Sequence, residues 1–316
     1  MDVRNHEADL KQLAEFVHDE CQKRLKAYEA QPRDAAEHFE TENEVLSGGY
    51  AYRQLYELVQ NAADAILEAA EPQGRIHVFL SPRRLEAANT GAALDEPGII
   101  ALLNARSSPK RGNQIGRFGI GFKSLLKLGG RVELTSRSVG LRFDPEACRD
   151  RIRGHLSLAK NAPAPGMRLA EVLDPAAESS PLFSSSRWSW ATTVVSAEIS
   201  DDAAFDRLSQ EIVDFPAEFL LFLPSAISLE LEVEGAAPRI LTKRIEDGFA
   251  VVGDGTNETR WKVFEASVKV DNPAARSDAT HIQAREQVPL SWAVPVGGRE
   301  QAGRFWAFFP TETQSC

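Results

Sequence analysis

The sequence predicts an α+β fold, with a smaller second unit beyond about residue 223. Three observations carry the expectation. Apolar residues recur at three- and four-residue steps over two long stretches, about residues 6–30 and 52–70, as on amphipathic helices. Short apolar runs bounded by Gly, Pro, Asn and Ser follow, as strands are. The length of 316 residues admits about two domains at roughly 150 residues each.

The elements follow in order. Over residues 6–30 the apolar stripe is Leu10, Leu13, Val17, Cys21, Leu25 and Tyr28, and Gln31-Pro32 stops it. We expect this helix to pack on its own domain rather than to form a dimer. Gly48-Gly49 separates it from a second helix, about Tyr52 to Ala70. Gly74 introduces Arg75-Ile76-His77-Val78-Phe79-Leu80, which alternates like a half-buried strand; Ser81-Pro82-Arg83-Arg84 reads as a turn and Leu85–Ala88 as the returning strand. Asn89 to Arg117 reads as a loop with a short apolar helix at 98–104. Gly119-Ile120-Gly121 precedes a helix at about 122–128, and strands follow at 131–136 and 140–143. Residues 145–188, with prolines 163, 165, 175 and 181 and the run Ser184-Ser185-Ser186, read as a long surface connection with short elements. Trp188–Ile199 reads as a strand, and Asp201–Phe215 as a helix capped by Asp201. Beyond the apolar segment Phe219–Leu223, residues 227–234, 260–270 and 304–309 are strand-like, and Asp247–Asn257 reads as a hairpin loop. His18 and His77, on a helix and a strand, read as structural.

Charge is segregated. The chain has 36 basic and 46 acidic residues, a net charge of −10. Yet Pro97 to Val132 holds Arg106, Lys110, Arg111, Arg117, Lys123, Lys127 and Arg131 and no acid, so the remainder carries −17. An acidic exterior repels phosphate backbones, so nucleic-acid binding by this chain is not expected. Cys21, Cys148 and Cys316 form no Cys-x-x-Cys pair, which argues against zinc and for a reducing compartment. The first residues lack a secretory signal, and the longest apolar stretch is too short to span a bilayer. The expectation is a cytoplasmic protein that does not cross a membrane.

Three segments carry chemistry. On the second helix, at about 100° per residue, Glu57, Asn61 and Asp64 share one stripe opposite Leu55, Leu58, Val59, Ala62 and Ile66. Most such polar faces are simply solvated. The stretch Gly116-Arg117-Phe118-Gly119-Ile120-Gly121-Phe122-Lys123-Ser124 can bring backbone close to a phosphate, with Lys110, Arg117 and Lys123 adding positive charge. It lacks the strand–turn–helix context of a dinucleotide fingerprint and the Gly-Lys order of a Walker loop. Asn89-Thr90-Gly91 closes a strand with a polar side chain and a turn glycine, which a turn alone would also explain.

In this order and spacing the three segments resemble the GHKL ATPases, which share the Bergerat nucleotide-binding fold. Glu57–Ala65 matches the family's first motif, Asn89-Thr90-Gly91 stands where it has Asp-x-Gly, and Gly116–Gly121 matches its last glycine-rich box. The wording Asn-Thr-Gly, then Ser107-Ser108-Pro109-Lys110, then Ile115–Ser124 looks closest to the sacsin-like branch, related to the heat-shock chaperones. Looser likenesses are Trp190–Val195 to the strand whose threonine completes the base pocket, Asp202–Leu223 to the linker helix, and Arg304–Pro310 to a second-domain strand.

The resemblance implies a two-layer α/β sandwich, helices on a mixed, mostly antiparallel sheet. It implies an N-terminal helical segment over 1–45, an ATP-binding domain over 46–222 with a lid at Leu94–Arg117, and a second, incomplete domain over 223–316 whose family pattern continues past Cys316. It implies ATP and Mg²⁺ as ligands. Glu57 would be the general base for the attacking water, a task of positioning and proton acceptance. Asn61 would supply an oxygen to Mg²⁺. Asp64, Asn89 and Thr192 would hold the adenine, with Gly91 shaping the corner. Gly116, Gly119, Ile120, Gly121 and Phe122 would line the phosphates, with Lys110 and Lys123 as electrostatic helpers. Asn89 replaces the usual aspartate; its oxygen still accepts, but its amide also donates, so base preference is open. The family's second-domain cation has Arg285 as its candidate. The implied function is a slow Mg²⁺-dependent ATPase acting as a conformational switch, homodimeric when ATP is bound, with an unidentified protein client. A nucleotide-binding scaffold without turnover is the alternative. A histidine kinase is disfavoured, since no phosphoacceptor helix pair precedes the first motif. The setting, chaperone or bacterial defence against foreign DNA, stays open on fold analogy.

Overall fold

A computed structural model describes residues 3–47, 53–104, 121–174, 186–223, 226–269, 287–297, 304–306 and 310–314. The fold is mixed α+β, with helices laid on one large, mostly antiparallel sheet.

Two helices open the chain, α1 (Val3–Ala30) and α2 (Pro32–Ser47). Val17, Cys21, Leu25 and Tyr28 of α1 are buried as its stripe requires. The helix packs on its own chain, against α2, β5 and neighbouring helices. Pro32 does end α1, but it also starts α2: proline suits the first helical turn, where its missing N–H would be unpaired anyway. His18 lies exposed on α1. Next come α3 (Gln54–Glu68), β1 (Gln73–Ser81), β2 (Arg84–Asn89) and α4 (Glu96–Leu103). Asp95 caps α4 by accepting from Gly98 N, and Ile99 and Leu103 anchor the helix in the core.

Residues Gly121–Leu128 form a 3₁₀ helix, followed by β3 (Gly129–Ser136) and β4 (Gly140–Phe143). The stretch expected to be a surface connection instead holds α5 (Pro145–His155) and a buried run. Asp144 caps α5 through Glu146 N and Ala147 N, and Ala164, Met167, Arg168, Leu169 and Ala170 are buried. Strand β5 (Glu171–Leu173) and β6 (Thr193–Ile199) follow. Ser186–Trp188 is a 3₁₀ turn, so the strand begins later than its aromatic run suggested. Then come α6 (Asp202–Asp214), a 3₁₀ segment Ala217–Phe222, β7 (Ala226–Val233), β8 (Arg239–Glu246), β9 (Phe249–Gly253), β10 (Glu258–Lys269), β11 (Gln287–Pro295), and the pair β12 (Arg304–Trp306) and β13 (Pro310–Gln314). The expected loop 247–257 therefore contains β9, between a turn at Asp247-Gly248 and a second near Asp254.

The sheet order is β11-β10-β9-β8-β7-β1-β2-β6-β3-β4-β5. Among the described pairings only β1–β7 is parallel, with His77 opposite Glu230 and Phe79 opposite Glu232. The hydrogen-bonded ladder thus runs unbroken past residue 223. Alternation along β1 splits the two faces. Ile76, Val78 and Leu80 enter the main core with α3, while Phe79 joins a second cluster of Ala88, Trp188, Ala191 and Val194.

No helix among the described residues is long and apolar enough to cross a membrane.

Candidate functional site

Helix α3 is buried on both of its faces. Leu55, Leu58, Val59, Ala62, Ala63 and Ile66 are the expected core side. The polar side is buried as well: Glu57 is 9% exposed, Gln60 2% and Asp64 1%, with Asn61 half-buried. A solvated amphipathic face would leave these carboxylates in water. Asp and Glu are almost never this buried without partners or a task. Gln60 and Gln54 are additional polar groups that the stripe did not single out; Gln54 Nε2 donates to Ser124 O at 3.1 Å and ties α3 to the 3₁₀ helix.

The end of β2 docks onto this helix. Gly91 has φ +110°. A Cβ there would lie 2.6 Å from the Ala65 carbonyl and from Ile66 N, so only glycine permits the approach. Ala92 N donates to Ala65 O at 2.8 Å, one residue beyond Asp64. Thr90 is locked to β1 by two bonds, its N donating to Arg75 O at 3.0 Å and its Oγ1 accepting from Arg75 N at 3.1 Å. Asn89 is 6% exposed. Its Nδ2 donates to Thr90 O, and among the described residues its Oδ1 has no donor. The ambivalence of the amide is thereby narrowed: one of its two N–H donors is used locally and the acceptor is kept.

Thr192 joins the corner from the next strand, its N donating to Asn89 O at 2.8 Å. Beside it lies a hydroxyl cluster that the sequence reading missed. Thr193 Oγ1 donates to Ser136 Oγ at 3.1 Å; Ser136 Oγ accepts from Leu94 N at 3.0 Å; Ser138 Oγ donates to Leu94 O at 2.6 Å. These bonds pin Leu94, the first residue of the expected lid, to the ends of β3 and β6. A Thr-Thr pair and a Ser-x-Ser at strand ends were the available signal.

The glycine-rich segment is described only from Gly121, which opens the 3₁₀ helix. Lys110, Gly116, Gly119 and Ile120 lie outside the described residues, as does Arg285. Phe122 is buried edge-on to Phe143, ring centroids 5.3 Å apart, so it anchors the segment in the core. Lys123, expected as an electrostatic helper, is buried among backbone carbonyls. It is 1% exposed, and its Nζ donates to Leu102 O at 3.1 Å and Met167 O at 3.4 Å, on the side of α1 and α2. Nearby, Glu42 accepts from Gly166 N at 2.6 Å and Met167 N at 3.1 Å.

On the other face of the sheet, His77, Glu230 and Glu232 bring three possible metal-ligand atoms within 4.8 Å of one another. Their charges are already matched. Arg187 pairs with Glu232 at 2.7 Å and Arg75 with Glu230 at 3.1 Å, while His77 Nε2 meets Glu232 at 2.9 Å. Burial lowers the His77 pKa against the pull of both glutamates. A dication would have to displace guanidinium partners, so the group reads as a tie between β1 and β7, the structural role expected of His77.

No protein-family model matches the chain, and no curated protein matches it.

Proposed function

We propose that the chain is a Bergerat-fold ATP-binding module of the GHKL type, holding ATP with Mg²⁺ against the polar face of α3. One observation supports this reading above the others: Glu57 and Asp64 are buried on α3, and the Asn89–Gly91 corner is seated on that helix by a contact only glycine allows. A turn or a solvated face would require neither.

In this reading the Asn89 Oδ1 accepts from the adenine amino group, with Asp64 and Thr192 alongside. The glycine-rich segment ending at Gly121 cradles the phosphates with backbone N–H groups. Asn61 offers an amide oxygen to Mg²⁺, which neutralises phosphate charge and holds the phosphates in line when bound. Glu57 sits one helical turn before Asn61, on the same face. It orients the attacking water and accepts its proton as the bond to the γ-phosphorus forms. Burial excludes bulk water from that carboxylate. Of the expected lid Leu94–Arg117, Leu94 is pinned and α4 is anchored in the core by Ile99 and Leu103, so residues 94–103 belong to the fixed scaffold of the site. Slow turnover would time a dimerisation switch, as in sacsin-like and chaperone-like modules, and residues 223–316 would form the second unit.

The test measures phosphate release from ATP with Mg²⁺ by wild type, Glu57→Ala and Asn61→Ala. Wild type should release phosphate slowly, Glu57→Ala should bind ATP without release, and Asn61→Ala should lose Mg²⁺-dependent binding. Tight binding without release by concentrated wild type would favour a scaffold that does not turn over. No binding at all would overturn the assignment.

A further inference from the structure

We propose that Arg24, Lys123 and Arg168 form a binding site for one small tetrahedral oxyanion, phosphate or sulfate, which ties helices α1 and α2 to the rest of the chain. The site uses none of the polar face of α3 and does not depend on the nucleotide reading.

A closed ring of contacts joins the three cations. Arg24, on α1, donates through Nη2 to Asn104 Oδ1 at 2.8 Å, just past α4. Two residues before Asn104, Leu102 O accepts from Lys123 Nζ at 3.1 Å. The same amine reaches Met167 O at 3.4 Å, next in sequence to Arg168. Arg168 Nε donates to Tyr28 Oη at 3.3 Å, and Tyr28 lies one helical turn after Arg24 on α1. The ring carries donors beyond those contacts. Arg168 is 2% exposed, and its Nη1 is buried without a partner. Arg24 Nε is likewise buried and unpartnered. A buried N–H without an acceptor carries the full cost of its desolvation, and a charged one carries more.

Charge points the same way. Glu42 of α2 is the carboxylate of the cluster, and it already accepts from Gly166 N and Met167 N. Glu20, near Arg24 on α1, is paired with Lys23 at 2.7 Å. The other neighbours are neutral near pH 7. Burial pushes Cys148 up to about 11 and raises Tyr28, and burial with Arg168 pushes His38 down to about 4. Three cations thus face one engaged carboxylate. Lys123 can shed its proton, and burial with Arg168 does lower its pKa to about 7. The two arginines cannot, because a guanidinium keeps its charge at any ordinary pH. Buried charge that cannot be neutralised calls for a counter-ion.

The donor set selects the ligand. A guanidinium presents a planar fork of N–H groups that matches the oxygens of phosphate or sulfate, and an ammonium adds a point charge. Lys123, Met167 and Arg168 are at most 2% exposed, which favours a free ion over a phosphate carried on a larger molecule. Arg24, His38 and Asn104 are half-buried and mark the side where the cluster meets solvent. An oxyanion held there accepts from both unpaired guanidinium N–H groups and links α1 to the 3₁₀ helix and to Arg168.

The test is equilibrium dialysis of the whole chain against radiolabelled phosphate in a chloride-free buffer near neutral pH. A second sample is unfolded, and ion chromatography counts any phosphate or sulfate it retained. One phosphate per chain should bind saturably, sulfate should compete, and ATP should not displace it. The thermal midpoint should rise with phosphate or sulfate and not with chloride at equal ionic strength. Arg24→Met should weaken phosphate binding about tenfold or more. Arg168→Lys, which keeps the charge but not the fork, should also weaken it and serves if the methionine variant misfolds. Wild type that neither binds nor retains an oxyanion overturns the proposal. Equal stabilisation by chloride is ionic screening and overturns it too. Displacement of the phosphate by ATP overturns a separate site for a free ion. Unchanged affinity in both variants overturns the assignment to this cluster.

Discussion

Replacing Gly91 with alanine probes the joint on which the site depends. The native φ of +110° is one that an L side chain rarely adopts, at a cost of about 1–3 kcal/mol. The new Cβ would also sit 2.6 Å from backbone atoms of Ala65 and Ile66. Helix backbone cannot swing aside like a side-chain end, so the last turn of α3 or the corner must shift, at a further cost of about 1–3 kcal/mol. The sum, about 2–6 kcal/mol, is a large part of the roughly 5–15 kcal/mol that holds a domain folded. Urea unfolding followed by circular dichroism should show that loss, and ATP binding should fall with it because Asn89 and Asp64 move apart. Gly154→Ala is the matched control. Its Cβ meets nothing within 4 Å on α5, so stability should stay level or rise by up to about 1 kcal/mol. A Gly91→Ala protein as stable as wild type would refute the docking argument.

Other expectations can be checked on the same purified protein. Glu42→Ala should lower the unfolding free energy by about 2–4 kcal/mol in urea, because it strands two backbone N–H groups and removes the carboxylate among buried cations. For Lys123 the folded pKa near 7 lies below the ordinary 10.5, so between those values the unfolded chain binds more protons and stability rises with pH. Urea midpoints from pH 7 to 9 should climb in wild type and flatten in Lys123→Met. His38 has its folded pKa near 4 against 6.5 ordinarily, so its contribution is complete above pH 6.5 and is lost as pH falls toward 4. His38→Gln should be the less acid-sensitive protein in thermal scans across that window.

Local pattern made much of the fold legible. The periodicity that predicted α3 is the one its buried apolar side obeys, and the Arg75–Leu80 alternation matches a strand with a different cluster on each face. Punctuation misled where one residue has two meanings. Pro32 was read as a breaker, yet it occupies the first turn of a helix, and Asp144-Pro145, inside the stretch read as a surface connection, is a cap signal. Helix α5 was also obscured by its polarity, since Cys148 and Ile152 are its buried residues. The turn Asp247-Gly248 was recognised, but the apolar Phe249–Val252 beyond it was folded into the loop. At the site, the spacing brought out Glu57, Asn61, Asp64 and Asn89, yet not the burial that distinguishes them from a solvated face. Gly91 looked like a turn residue, because the helix backbone it touches is distant in sequence. Lys123 followed a glycine-rich run, and sequence alone did not tell which side of the 3₁₀ helix its amine would take.

The most direct test of the central claim is an equilibrium titration of the wild-type chain with ATP and Mg²⁺, set beside Asn61→Ala. The account predicts saturable binding of one ATP per chain, weakened when Mg²⁺ is chelated and weakened in the variant. A wild-type chain that binds no ATP, or binds it equally well without Asn61 and without Mg²⁺, would contradict it.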